Sequence, residues 1–171
     1  MVEVRKADGS NVADIIRVCE SGYRETYKSL LEKEDIEQVI EEFYNADRIA
    51  REVRDISDEW NGWFVAVDEE GTVVGAGGGG MTGSETAELF VLYLDPERKR
   101  EGIGGRLLEA ITEDHIARGA SEQWVSVTKG NEMGIPFYEK SGFVYKGERP
   151  SHKLPSEKSY ISLRYRREIG K

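Results

Sequence analysis

The stretch AELFVLYLDPERKREGIGGRLLEAI, residues 87–111, constrains the fold more than any other part of the chain. AELFVLYLD gives the strongest strand signal in the sequence, and Pro96 ends it. A helical pattern follows from Gly104 to Arg118, with Leu107, Leu108 and Ile111 turned inward. Between the two, Arg98, Lys99, Arg100 and Arg106 crowd around Gly102, Gly104 and Gly105. A strand that feeds a helix through a short turn requires layered α/β packing. The turn also has a chemical reading. The first turn of a helix carries N–H groups without intrahelical partners, and the aligned peptide dipoles add positive charge there. Glycines let an anion such as a phosphate approach that backbone. A solvated basic turn capped by glycine fits the same residues, and this stretch alone does not separate the two.

The remaining segments extend the α/β pattern. VEVRKA, residues 2–7, alternates like a strand. Val12, Ile15, Ile16, Cys19 and Tyr23 mark an amphipathic helix over 11–27. Two shorter acidic helices are expected over 33–43 and 46–56. GWFVAV and GTVVGAGGG form a hairpin turned at Asp68–Gly71. EQWVSVTK is a strand, and residues 131–141 a short helix, with Pro136 tolerable only near its start. GFVYKGER and SYISLRYRR close the chain as strands. The expected fold is therefore a mixed sheet with helices on both sides, in one domain over residues 1–171.

Composition narrows the function. The chain carries 33% charged and 38% hydrophobic residues, with no apolar run long enough for a membrane span. Its N-terminus lacks a signal-peptide pattern. With one cysteine, Cys19, no internal disulfide can form, and a buried structural thiol fits its apolar helical setting better than a nucleophile. Cys19, His115 and His152 show no zinc-ligand spacing, so no metal is expected. A net charge of -9 argues against nucleic acid and for cationic partners. A cytoplasmic protein is the expectation, with homodimerisation left open.

VVGAGGGGMT imitates two nucleotide motifs. Gly75, Gly77 and Gly80 satisfy G-x-G-x-x-G, and Gly75 to Thr82 has the glycine spacing of a phosphate loop. Met81 stands where such a loop needs its lysine. The following MTGSETAEL is too short and polar for the helix that a dinucleotide motif must open. The stretch reads instead as an edge-weak strand whose glycines leave room for a ligand or another backbone.

In context, LDPERKREGIG resembles motif A of the GNAT superfamily of N-acetyltransferases, [VL]-x-P-x-x-[RQ]-x-x-G-x-[GA]. NEMGIPFYEKSGF, residues 131–143, resembles that family's N-x-x-A-x-x-F-Y-x-K-x-G-F. The order of elements agrees along nearly the whole chain. The resemblance implies a mostly antiparallel central sheet of about seven strands with helices on both faces, and acetyl-CoA as cosubstrate. By that resemblance, Leu92, Tyr93 and Leu94 hold the pantetheine and the thioester carbonyl through backbone groups. Lys99, Arg100, Glu101, Gly102, Ile103, Gly104, Gly105 and Arg106 form the pyrophosphate turn, and Asn131 bonds the CoA arm. Tyr138 protonates the leaving sulfur, although an aromatic filling the core beside Phe137 fits the residues alone. There are departures. Lys99 replaces Arg or Gln, Arg100 a common Gly, and Gly134 the usual Ala. Phe90 stands where many relatives carry a basic glutamate. Glu88, two residues earlier, points to the same face and is the candidate base; a water is the alternative.

The chemistry makes definite demands. An alkyl ammonium has a pKa near ~10.4, so it must lose a proton before it attacks. The thioester carbonyl needs hydrogen-bond donors, and the departing thiolate needs a proton. The sequence has no G-x-S-x-G elbow and no Cys–His pairing motif, in keeping with direct attack by the amine. Residues 20–59 hold 13 acidic and 6 basic residues. This segment resembles the same region of PaiA-type polyamine acetyltransferases, which implies a polyamine or another small cationic amine as acceptor. A solvated helix face is the plainer reading of its charge. Acetylation of a protein N-terminus and non-catalytic acyl-CoA binding are the alternative functions.

Overall fold

The computed structural model describes residues 1–98, 101–151 and 160–170. Lys99, Arg100, His152 and the start of the SYISLRYRR strand lie outside the described residues. The elements run β1 (Glu3–Lys6), a 3-10 turn (Gly9–Asn11), α1 (Val12–Tyr27), α2 (Lys33–Phe43), α3 (Ala46–Arg54), β2 (Phe64–Val67), β3 (Val73–Met81) and β4 (Thr86–Leu94). Then come α4 (Ile103–Ala117), β5 (Glu122–Thr128), α5 (Gly134–Lys140), β6 (Val144–Pro150) and β7 (Ile161–Glu168).

The strands form one seven-stranded sheet in the order β1-β2-β3-β4-β5-β7-β6. Every pairing is antiparallel except β4 with β5. Alternation along the strands sorts side chains to two faces. Val73 and Ala76 join Ile15, Val18 and Ile49 under α1, α2 and α3, whereas Val74 and Leu89 join Leu107 and Ile111 under α4. Each large aliphatic side chain buried in these layers contributes about 1.5–3 kcal/mol. Cys19 is fully buried in the α1 layer, the structural position that its apolar neighbours imply.

Element ends follow local chemistry. Asn45 caps α3 by accepting from the Arg48 N–H at 2.9 Å. The Asp68–Gly71 turn closes with Gly71 at φ 83°, a left-handed conformation suited to glycine. The segment expected as helix from residue 131 becomes helical only at Gly134, because the Asn131 side chain accepts from the N–H groups of Met133 and Gly134.

One expectation needs correction. The glycine-rich strand is not at an edge: β3 lies between β2 and β4 and is buried along its whole length. Its glycines admit another part of the chain. A Cβ on Gly78 would stand 2.6 Å from the Trp60 ring, and one on Gly80 would strike the Glu59 carbonyl. Residues 58–61 therefore lie directly on β3, with Met81 N–H bonded to the Asp58 carbonyl and Asn61 N–H to the Gly79 carbonyl.

A polar network is buried behind the sheet. The Gln123 amide donates to Nδ1 of His115 at 3.0 Å, and its carbonyl accepts from Arg167 at 2.9 Å. Arg167 also donates to Thr112 and to the Ser141 carbonyl, joining α4, β5, β7 and the end of α5. Burial lowers the His115 pKa from 6.5 to about 4, with Asp114 opposing and Arg118 and Lys6 adding to the shift. The imidazole is neutral in both states above 6.5, while between 6.5 and about 4 only the unfolded chain takes up the proton. Stability should therefore fall as pH drops through that window, with no further loss from this group below it. Thermal melts from pH 7 to 4 should show a shallower loss for His115→Asn than for the parent. Equal slopes would remove His115 as the cause.

Candidate active site

The site begins where two strands part. β4 pairs with β5 only from Thr86↔Glu122 to Leu89↔Val125, yet β4 runs on to Leu94. Just beyond the last pair, β4 bulges. Gly78 pairs with Val91 and Gly79 with Leu89, which leaves Phe90 as an extra residue. Glu88, Phe90, Val91 and Tyr93 consequently all line one cavity. The β5-facing backbone of β4 past Leu89 has no ladder partner, and an extended chain can hydrogen-bond there.

Two cavities flank this open edge. The larger, of about 530 Å³, lies between the helical layer and the strands. Tyr23 and Tyr27 of α1, Tyr44 at the end of α2, Arg48 and Glu52 of α3, and Trp60 and Trp63 form its helical side. Ser126, Thr128, Arg149 and Ser162 come from the strands beyond the split. The smaller, of about 200 Å³, is lined by Leu92, Tyr93, Leu94, Gly104, Asn131 and Tyr138. Six of the residues expected at a CoA site thus meet in one cleft. Tyr93 lines both cavities and stands at their junction.

The turn before α4 leaves backbone donors open. Gly102, at φ 76°, precedes the helix, no side chain caps it, and no acidic residue occupies its first turn. Ile103, Gly104 and Gly105 N–H groups accordingly have no partner among the described residues. The side chains expected there are otherwise engaged. Glu101 pairs with Arg98 at 2.9 Å, Ile103 is buried in the core, and Arg106 donates to the Val2 carbonyl at 3.0 Å. Among these residues, the open donors are those of the backbone.

Tyr138 is buried against Phe137 and Phe143 while lining the smaller cavity, so the core-filling and the cavity-facing roles coexist. Burial, then the nearby Tyr27, pushes its hydroxyl pKa well up, which keeps the phenol protonated and able to donate. Glu88 is held differently. Both its oxygens accept from Arg164, at 2.8 and 3.0 Å, and Arg164 also donates to Ser126 at 2.7 Å. Each oxygen keeps a second lone pair, so the ion pair fixes the carboxylate in place. Removing either partner of so buried a pair costs about 3–5 kcal/mol.

Glu52, Trp60 and Trp63, also at the site, carried no recognisable sequence signal. Glu52 accepts from the Trp63 indole at 2.9 Å and from Arg48 at 3.1 Å, while its backbone carbonyl accepts from Trp60 at 2.8 Å. It thereby fixes both tryptophans. Tyr23, Tyr27, Tyr44 and Tyr93 stack as a ring cluster with centroids 4.5–6.3 Å apart. The helices of the acidic segment do roof the larger cavity, but of their carboxylates only Glu52 lines it. Glu37 pairs with Arg24 and Glu25 with Lys28 instead.

The helix-start geometry yields a direct test of CoA binding. A Cβ on Gly104 would stand 3.3 Å from Phe137, whereas one on Gly105 meets nothing within 4 Å. Gly105→Asp places a carboxylate in the first turn of α4, where the helix dipole favours it. Folding should be preserved or improved, while CoA affinity measured by titration calorimetry falls about tenfold or more, roughly 1.4 kcal/mol. A folded variant that binds CoA at full strength would exclude this turn.

Comparison with known proteins agrees with this geometry. Residues 23–143 match the Acetyltransferase (GNAT) family. The chain is 28% identical to a spermidine N(1)-acetyltransferase of Thermoplasma acidophilum over 83% of its length and 88% of that protein's. It is 30% identical to the uncharacterized N-acetyltransferase YuaI of Bacillus subtilis, over 81% of its own length and 78% of the other's. Its fold superposes on the crystal structure of PaiA N-acetyltransferase from Thermoplasma acidophilum in complex with coenzyme A with a TM-score of 0.79. That match has 25% identity and covers 96% of this chain and 98% of the other. The strand split, the open helix start and the family match over most of the sequence agree: the chain belongs to the GNAT family of acetyltransferases, which use acetyl-CoA.

Proposed function

We propose that this chain acetylates a small primary amine held in the larger cavity, with acetyl-CoA reaching it through the smaller one. The observation that carries this reading is the meeting of the two cavities at Tyr93, beside the unpaired edge of β4. In this reading Leu92, Tyr93 and Leu94 hold the pantetheine arm by backbone groups, and the N–H groups of residues 102–105 hold the pyrophosphate. Asn131, already committed through its carbonyl to the α5 turn, retains its amide N–H groups for the CoA arm. The amine nitrogen attacks the thioester carbonyl carbon, the C–S bond breaks, and Tyr138 supplies a proton to the sulfur. Glu88, tied to Arg164, acts as a fixed negative charge near the incoming ammonium, and water takes the amine's proton.

A polyamine is the acceptor class supported by the similarity to a spermidine acetyltransferase and by the acidic 20–59 segment. That segment can steer a polycation from a distance. A cytoplasmic location accords with the acetyl-CoA donor and the single cysteine. One observation, the arginine-rich floor of the larger cavity, favours a second acceptor class considered below.

Thiol release from acetyl-CoA should be measured across polyamines, aminoglycosides, amino acids and peptides. Turnover with small amines, spermidine among them, supports the reading; turnover only with peptides would move it to N-terminal acetylation. CoA binding without any turnover would leave an acyl-CoA-binding module.

The proton donor has its own test. Tyr138→Phe keeps the ring in its aromatic contacts and removes only the hydroxyl. If that hydroxyl acts as the thiolate leaves, kcat falls about 10²-fold with little change in the KM for acetyl-CoA. Full activity in the Phe variant would leave Tyr138 with its packing role alone.

A further inference from the structure

Among the described residues, the charges at the floor of the larger cavity do not balance. Glu88 is matched by Arg164, and Ser126 Oγ accepts from both Arg164, at 2.7 Å, and Arg149, at 3.3 Å. Arg149 has no carboxylate partner among the described residues, and its Nε is buried without a hydrogen-bond partner. Burial and the neighbouring Arg164 both disfavour its charge, with Glu88 only partly offsetting them. One donor of this guanidinium is thus buried without an acceptor, and its terminal nitrogens have only Ser126 Oγ as a hydrogen-bond partner among the described residues. Hydroxyls of Ser126, Thr128 and Ser162 line the same cavity.

We propose that Arg149 and these hydroxyls form an anion subsite, and that the acceptor amine carries a carboxylate close to the nitrogen that is acetylated, as an amino acid does. Two guanidinium groups and one carboxylate leave a single positive charge, which a monovalent carboxylate balances. A dianionic phosphate would overshoot it and repel Glu88. The planar fork of Arg149 suits a carboxylate's two oxygens. The ammonium of the same molecule lies toward Glu88, a short way along the Arg149–Ser126–Arg164–Glu88 chain. The rest of the acceptor extends among the tyrosines and tryptophans, which accommodate an apolar, aromatic or cationic side chain. A basic amino acid thus reconciles this floor with the acidic outer surface, whereas a simple polyamine leaves Arg149 unmet.

The inference rests on the acetyl transfer proposed above and narrows its acceptor. In the reaction, the neutral amine forms the new N–C bond and the C–S bond breaks. One proton leaves the nitrogen and one reaches the sulfur, giving an N-acetyl amino acid and CoA.

Matched pairs isolate the carboxylate: lysine against cadaverine, ornithine against putrescine, and phenylalanine against phenethylamine. kcat/KM should be at least tenfold higher for a carboxylate-bearing member, through a lower KM. Arg149→Gln should bring that ratio to within about threefold of one, because it removes the charge and the guanidinium fork while leaving a polar side chain. Equal or better turnover of the carboxylate-free members, or a ratio unchanged in Arg149→Gln, overturns the subsite. A binding arm separates this from failure of the acetyl-transfer reading. With CoA present, calorimetry should detect lysine, ornithine or phenylalanine binding to the parent and at least tenfold weaker binding to Arg149→Gln. Binding without turnover in any pair would uphold the subsite and sink the transfer; no binding of any of them would sink the subsite.

Discussion

Everything functional in this protein depends on β4 and β5 failing to stay paired. Four residue pairs join them, and then the Phe90 bulge turns β4 and the ladder stops. A bulge adds one residue to one strand, bends it and increases its twist. Here that single residue does two things. It brings Phe90 and Val91 together to one cavity, and it leaves the following backbone without a neighbour on the β5 side. Unpaired backbone at the middle of a sheet is costly unless something else bonds to it. An extended chain lying along this edge would complete it. The helix start beside it repeats the logic, with N–H groups left open by glycines where a capping side chain would ordinarily sit.

The rigid surroundings make that opening reproducible. Glycines in β3 let residues 58–61 lie flat on the sheet, which seats Trp60. Glu52 then holds Trp60 and Trp63 together from α3. On the opposite face, the His115–Gln123–Arg167 network binds α4 to β5 and β7. Buried polar groups are expensive unless satisfied, so once assembled such a network fixes one arrangement. The cleft thus opens between two walls that are each locked.

Charge acts at two ranges. Several outer carboxylates of the 20–59 segment, Glu20, Glu25 and Glu37 among them, pair with nearby arginines and lysines, and the segment influences an approaching ligand through the screened long-range field. Inside, the balance is set by a few desolvated groups, Glu88, Arg164 and Arg149, where each interaction is far stronger. Steering and recognition can therefore favour different features of one molecule, a cationic body and an anionic head. Net charge read along the chain describes the first and is silent on the second.

The sequence by itself determined the order of strands and helices, the glycine turn before α4 and the Asn131–Tyr138 segment. These rest on local periods, caps and turn residues spaced within a few positions of each other. It also placed Leu92, Tyr93, Leu94, Gly104, Asn131 and Tyr138, which share one cleft. It misjudged β3 as an edge, because many glycines weaken a strand's own signal whether they face solvent or another backbone. Only the tertiary structure decided what Glu88 pairs with, since its partner Arg164 lies 76 residues away on a strand two places across the sheet. The same holds for Arg149, whose lack of an ion-pair partner among the described residues is a property of the assembled floor. Local pattern fixes which elements form; the partners of a buried charge are fixed by packing, which brings distant residues within a few ångströms and excludes the water that would otherwise serve them.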